Sequence, residues 1–132
     1  MLDAGVWIAA KDSQDRYFES ARLLAVDSGQ PVAALDLTLY EVANVLGARK
    51  QRGNDAVDLC QLVSARCADR LVAADAELIR RTIEVGAEHG LTAYDAAYVA
   101  VARRHDWTLV STDLADLVSK GLAVAPDAAD YP

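Results

Sequence analysis

Short runs of branched apolar residues alternate with longer stretches of helical periodicity along the 132-residue chain, and the switches between them carry carboxylates. Residues 1–8 open as a short buried strand running into a helix, with Gly5 permitting a tight turn just past Asp3. Tyr17, Phe18, Ala21, Leu24 and Ala25 then recur at helical spacing and stop near Ser28 and Gly29. The run PVAAL at 31–35 predicts a second strand. Leu39, Val42, Ala43 and Leu46 mark a helix ending around Gly53, and AVDLCQLVSAR begins another at Ala56. A third strand is expected at 71–74, followed by helices over 76–88, closed by Gly90, and over 93–104. WTLVSTD is the clearest β segment, 116–120 reads as a short helix, and 122–125 as a last edge strand. Strands alternating with helices imply an α/β domain with a mainly parallel sheet.

The length fits a single domain over 1–132, in which the tail 126–132 carries no packing pattern and is expected to be loosely packed. No apolar run approaches the roughly 20 residues that span a bilayer, and the opening MLDAGVWIAAKD has no basic leader, so a cytoplasmic protein with no membrane partner is expected. Cys60 and Cys67 on one helix would lie about 10 Å apart along its axis, too far for a disulfide. Neither joins His89 or His105 in a zinc-like spacing. The net charge of −7 excludes broad electrostatic attraction to nucleic acid. Any phosphate substrate needs local help, from bound cations or from Arg49, Lys50, Arg52, Arg103 and Arg104. Those five residues equally fit solvated helix ends that complement the helix dipole.

Four acids fall at element boundaries: Asp3, Glu41 in TLYEVANVL, Asp95 in TAYDAAYVA, and Asp113 after TLVST. In a parallel sheet, ligands collect outside the carboxyl ends of the strands, and Asp3, Asp113 and Glu41 all map to that edge. Asp95 joins them if its helix starts there. Gathered carboxylates repel unless a divalent cation holds them, which makes a metal site the leading reading. The competing reading is local: TLYE and TAYD both match a capping box, and Asp113 can cap the helix after it. Asp3 resists such dismissal, because an acid within an apolar opening is costly to desolvate unless paired or coordinating.

The segments LDAGVWIA, LTLYEVANVL, LTAYDAAYVAVAR and LVSTD resemble the four acidic motifs of the PIN-domain ribonucleases, most closely the VapC-type toxins of bacterial toxin–antitoxin pairs. The match runs in order from residue 3 to about residue 116. The resemblance implies a three-layer PIN-like fold with a central, mainly parallel sheet, a Mg²⁺ or Mn²⁺ site, and metal-dependent cleavage of RNA. It gives Asp3, Asp95 and Asp113 as metal ligands and Glu41 as the fourth catalytic acid, with Thr112 and Asp116 as weaker neighbours. It also implies a small VapB-like antitoxin that blocks the acidic cleft, and a homodimer. General chemistry agrees, since hard cations take oxygen ligands and can activate water for attack on phosphorus. Gly5 stands where the family commonly carries Ser or Thr, which removes a hydroxyl beside Asp3.

Two other classes compete. A catalytically silent PIN-like module would bind RNA or protein without metal-dependent cleavage. A phosphatase of the haloacid dehalogenase class needs a second acid two residues after its nucleophile, whereas Asp3 is followed by Ala4 and Gly5. Trp7, Tyr40, Tyr94, Tyr98 and Trp107 are expected mostly in the core by their spacing, with RNA stacking the alternative for one of them.

Overall fold

The computed structural model describes residues 1–130. Six helices dominate it: α1 (Ala4–Ala9), α2 (Phe18–Arg22), α3 (Leu37–Val42), α4 (Gly53–Cys67), α5 (Ala76–His89) and α6 (Ala93–His105). Wider helical turns extend α2 through Leu23–Asp27 and α3 through Ala43–Arg49. Strand β1 (Ala34–Leu35) pairs in parallel with β2 (Leu71–Val72). Leu2 makes a parallel bridge to Val110, and Val110 another to Val124. The Leu2 amide donates to Ala33 at 2.9 Å and so joins the two ladders. Five short segments therefore line up in the order β2, β1, Leu2, Val110, Val124, with the opening of the chain at the centre.

Alternation along these segments sends neighbouring side chains to opposite faces. Ala34 and Val110 enter one buried cluster with Leu2, Trp7, Val42, Leu59 and Val63. Leu35 and Leu109 enter a second with Leu78, Val101 and Leu117. Helices α1 to α4 thus cover one face, α5 and α6 the other, giving three layers. Burial of a side chain such as Trp7 or Leu59 contributes about 1.5–3 kcal/mol, and two such faces fix the register of the central segments.

Capping places the helix starts that matter. The Asp3 side chain accepts from the Val6 amide at the head of α1, and Thr92 accepts from the Asp95 amide at the head of α6. Gly90, in the left-handed region at φ +66°, ends α5 where a side chain would be strained.

Two expectations are corrected. TLYE is no capping box: α3 begins at Leu37, so Thr38 lies inside the helix and is buried, with its hydroxyl turned to Tyr98. The tail is packed rather than loose as far as it is described. Pro126 is buried in a 3₁₀ turn at Pro126–Ala128, and Ala129 packs on the first cluster, because the apolar edge beside α2 needs a cover. Residues 131 and 132 lie outside the described residues. Among the described residues no helix is long and apolar enough to cross a membrane.

Candidate active site

The turn after each central segment delivers an acid to the same edge of the sheet. Asp3 follows Leu2 directly, its amide bonded to the Val110 carbonyl at 3.1 Å. After Val110 the chain leaves the sheet at once: the Asp113 amide donates to Ser111 Oγ at 2.9 Å, and Asp113 Oδ1 accepts from the Asp116 amide at 2.9 Å. Glu41 arrives from the second turn of α3 and Asp95 from the first turn of α6. These helices are stitched together by a buried hydroxyl chain. Tyr98 donates to Glu41 Oε2 at 3.1 Å, and Thr38 Oγ1 lies 2.8 Å from the Tyr98 oxygen. Since the Tyr98 proton goes to the carboxylate, Thr38 supplies the other hydrogen bond.

Charge and burial act on two of these acids. Burial pushes the Asp3 carboxyl up to about 6, against hydrogen bonds from Ser111 and the Val6 amide that lower it. The negative charges of Asp113 and Asp95 raise it further. Glu41 is also raised, first by burial and then by Asp3 and Asp95, with the Tyr98 hydrogen bond opposing. Burial and the nearby Glu41 carboxylate hold the Tyr98 phenol far above its ordinary value, so it stays a donor. Asp3 thus feels the charges of Asp113 and Asp95, and Glu41 those of Asp3 and Asp95.

Each acid also has a structural duty, so both readings of the motifs apply at once. Asp3 Oδ1 caps α1, Asp95 Oδ2 accepts from the Thr92 hydroxyl at 3.0 Å, Asp113 Oδ1 caps its turn, and Glu41 Oε2 takes Tyr98. One oxygen of each is thereby fixed. Among the described residues no three His, Cys, Asp or Glu side chains converge into a ready cage. The donor set is all carboxylate and hydroxyl oxygen, which suits a hard divalent cation that keeps part of its water shell.

The remaining expected residues divide. Thr112 is half-buried and fills the space beside Gly5: a Cβ there would overlap Thr112 Oγ1 and lie 3.3 Å from Asp3 Oδ1. Thr112 thus puts a hydroxyl from the opposite segment into the space that a side chain at position 5 would take. Asp116 meets the site only through its amide, and its exposed carboxylate pairs with Lys120 at 3.8 Å. Four of the five expected basic residues pair with acids outside the site, and Arg49 is exposed. Lys50 pairs with Asp12, Arg52 with Asp55, Arg103 with Glu88 and Arg104 with Asp75. Lys50 and Arg52 border a separate cavity of about 170 Å³ with Lys11 and Asp58.

Tyr98 was expected only as core, and its hydrogen bond to Glu41 was missed. The signal available was its place three residues after Asp95, on the same helical face. Tyr40 and Tyr94 correct the core expectation in the other direction, being 76% and 63% exposed.

A parallel sheet between two helical layers, with acids gathered at its carboxyl edge, defines a nuclease-like α/β domain. A PIN domain model matches residues 1–116, and the chain belongs to the PIN domain family. It is 31% identical over 117 residues to Ribonuclease VapC3 of Pyrobaculum aerophilum, covering 86% of this chain and 88% of that relative. Its fold is similar to a toxin–antitoxin complex from Klebsiella pneumoniae, with TM-score 0.70, 17% identity and 95% of each chain covered. It is also similar to the sarcin-ricin loop cleaving toxin VapC20 of Mycobacterium tuberculosis, with TM-score 0.67, 22% identity and 91% and 93% covered.

Proposed function

We infer that this chain is a VapC-type endoribonuclease, the toxin of a toxin–antitoxin pair, cleaving RNA with the help of Mg²⁺ or Mn²⁺. The observation that supports the reading is the placement of Asp3, Glu41, Asp95 and Asp113, in the order of the PIN motifs, on elements that meet at one sheet edge, where Asp113 and Asp95 raise the Asp3 carboxyl and Asp3 and Asp95 raise that of Glu41. The ribonuclease name of the 31% identical relative supports the activity, and the toxin–antitoxin neighbours share the fold.

Asp3, Asp95 and Asp113 would hold the cation through the oxygens their caps leave over. When bound, it activates a water and neutralises charge on the phosphate. Within the chain, Glu41 is the acid whose raised affinity for protons suits it to accept one from the attacking water, and Tyr98 holds its carboxylate in place. Ser111 and Thr112 flank Asp3 with hydroxyls, and Asp116 braces the Asp113 turn through its amide. A VapB-like antitoxin that covers this edge, a homodimer, and action in the cytoplasm belong to the same proposal.

A silent RNA- or protein-binding module is the second reading, favoured by the capping duties that keep the acids from forming a cage. Incubation of the protein with labelled single-stranded RNA decides between them. The nuclease reading expects cleavage with Mg²⁺ or Mn²⁺ that stops on chelation with EDTA; no cleavage with either ion supports the silent module.

A further inference from the structure

An acidic chain that handles RNA faces a problem of attraction. The protein carries a net charge of −7, and of the five basic residues expected to help only the exposed Arg49 has no ion pair among the described residues, while Lys50, Arg52, Arg103 and Arg104 each pair with an acid outside the four. Coulombic contact with phosphates is therefore weak where it is most needed. A second source of binding free energy is base stacking, which is insensitive to charge and tolerant of sequence because every base has a π face.

Two side chains fit that role by position. Among the described residues the exposed large hydrophobics are Leu23, Tyr40, Val57, Ile79, Ile83, Tyr94 and Leu114, and only Tyr40 and Tyr94 are aromatic. Each immediately precedes a site acid, Glu41 and Asp95, so its Cα stands about 3.8 Å from that of the acid. Both occur in the same short pattern, Thr-x-Tyr-acid, once on α3 and once on α6. The two helices present it in different phase, with Thr38 buried and Thr92 exposed, yet both tyrosines emerge into solvent. The Tyr98 side chain reaches from α6 to Thr38 and Glu41 on α3, which links the two segments that carry the tyrosines.

We propose that Tyr40 and Tyr94 are base-stacking platforms that hold unpaired RNA nucleotides against the acidic edge. The proposal rests on the nuclease reading and adds to it the two residues that would hold the unpaired bases. A perfect duplex keeps its bases stacked inside and offers neither tyrosine a partner.

The test is fluorescence anisotropy with a short labelled single-stranded RNA and with the same sequence in a duplex. It is carried out in EDTA and again with Mg²⁺ in an Asp95→Asn background, so that nothing is cleaved. Tyr40→Ala and Tyr94→Ala should each weaken single-strand binding about five- to hundredfold, the range of one lost stack. Tyr40→Phe and Tyr94→Phe should stay within about twofold of the parent. The salt slope should be unchanged, because no phosphate contact is removed. Both sites are exposed, and circular dichroism melting checks that the variants fold.

Alanine variants that bind like the parent overturn the proposal, as do phenylalanine variants that lose as much as alanine. A parent protein that binds no single strand in either condition overturns it as well. If the alanine variants keep RNA affinity but lose self-association in sedimentation, the tyrosines serve a protein interface and the proposal falls. The nuclease reading fails separately, through absence of metal-dependent cleavage by the wild-type chain.

Discussion

The Tyr98 hydroxyl meets Oε2 of Glu41 at 3.1 Å across 57 residues of sequence, and Thr38 closes the chain of hydrogen bonds behind it. Tyr98 is buried, so this is the contact that brings α6 and α3 into register at the acidic edge.

Tyr98→Phe removes the donor to Glu41 and leaves the buried Thr38 hydroxyl without its partner. Loss of about 1–3 kcal/mol in urea denaturation is expected. Without the Tyr98 hydrogen bond, which lowers it, the Glu41 carboxyl should rise further, shifting the acid limb of the pH–rate profile upward. A profile that keeps its shape while stability falls would confine Tyr98 to packing.

The raised Asp3 carboxyl sets the pH dependence of the metal-free protein. Its folded value of about 6 lies above the ordinary 3.8, so the native state holds this proton more tightly than the unfolded chain. Stability is then lost as pH rises from about 4 through about 6, by roughly 3 kcal/mol for Asp3, with Glu41 acting in the same direction. Thermal melting in EDTA should show a lower melting temperature at pH 7 than at pH 5. Asp3→Asn keeps a good helix cap and removes the titrating group, so it should be more stable than wild type at pH 7 in EDTA. A melting temperature that climbs between pH 5 and pH 7 would contradict this.

Gly5 and Thr112 share one space. Gly5→Ser forces its Cβ onto Thr112 Oγ1 and should cost about 1–3 kcal/mol, because a β-branched side chain has few other rotamers. Combining it with Thr112→Ala should recover most of that stability and return a hydroxyl beside Asp3. Denaturant melts of the two single variants and the double variant form the cycle. Additive losses would mean that the two positions do not exchange roles.

The sequence made much of this edge legible. WTLVSTD marked the segment before Asp113, and TAYD marked the cap at Thr92, because both signals are local. The phase of a helix is not local. TLYE carries the same letters as a cap, but α3 starts two residues earlier than that pattern requires and takes Thr38 inside. The same cause misdirected the tyrosines: helical spacing assigned Tyr40 and Tyr94 to the core, while packing of the layers left them outside. Partners distant in sequence were equally hidden, such as Asp12 for Lys50 and Asp75 for Arg104.

The central claim is that these carboxylates hold a hard cation for RNA cleavage, and Asp95 tests it most directly because it also has a capping duty. The measurement is the single-turnover cleavage rate of single-stranded RNA at saturating Mn²⁺ for wild type and Asp95→Asn, with folding of both checked by circular dichroism. Asparagine keeps the shape and can still accept from Thr92, so the helix should persist while the rate falls by about 100-fold or more. An unchanged rate in a folded Asp95→Asn would leave Asp95 as the cap of α6 and contradict the metal-site account.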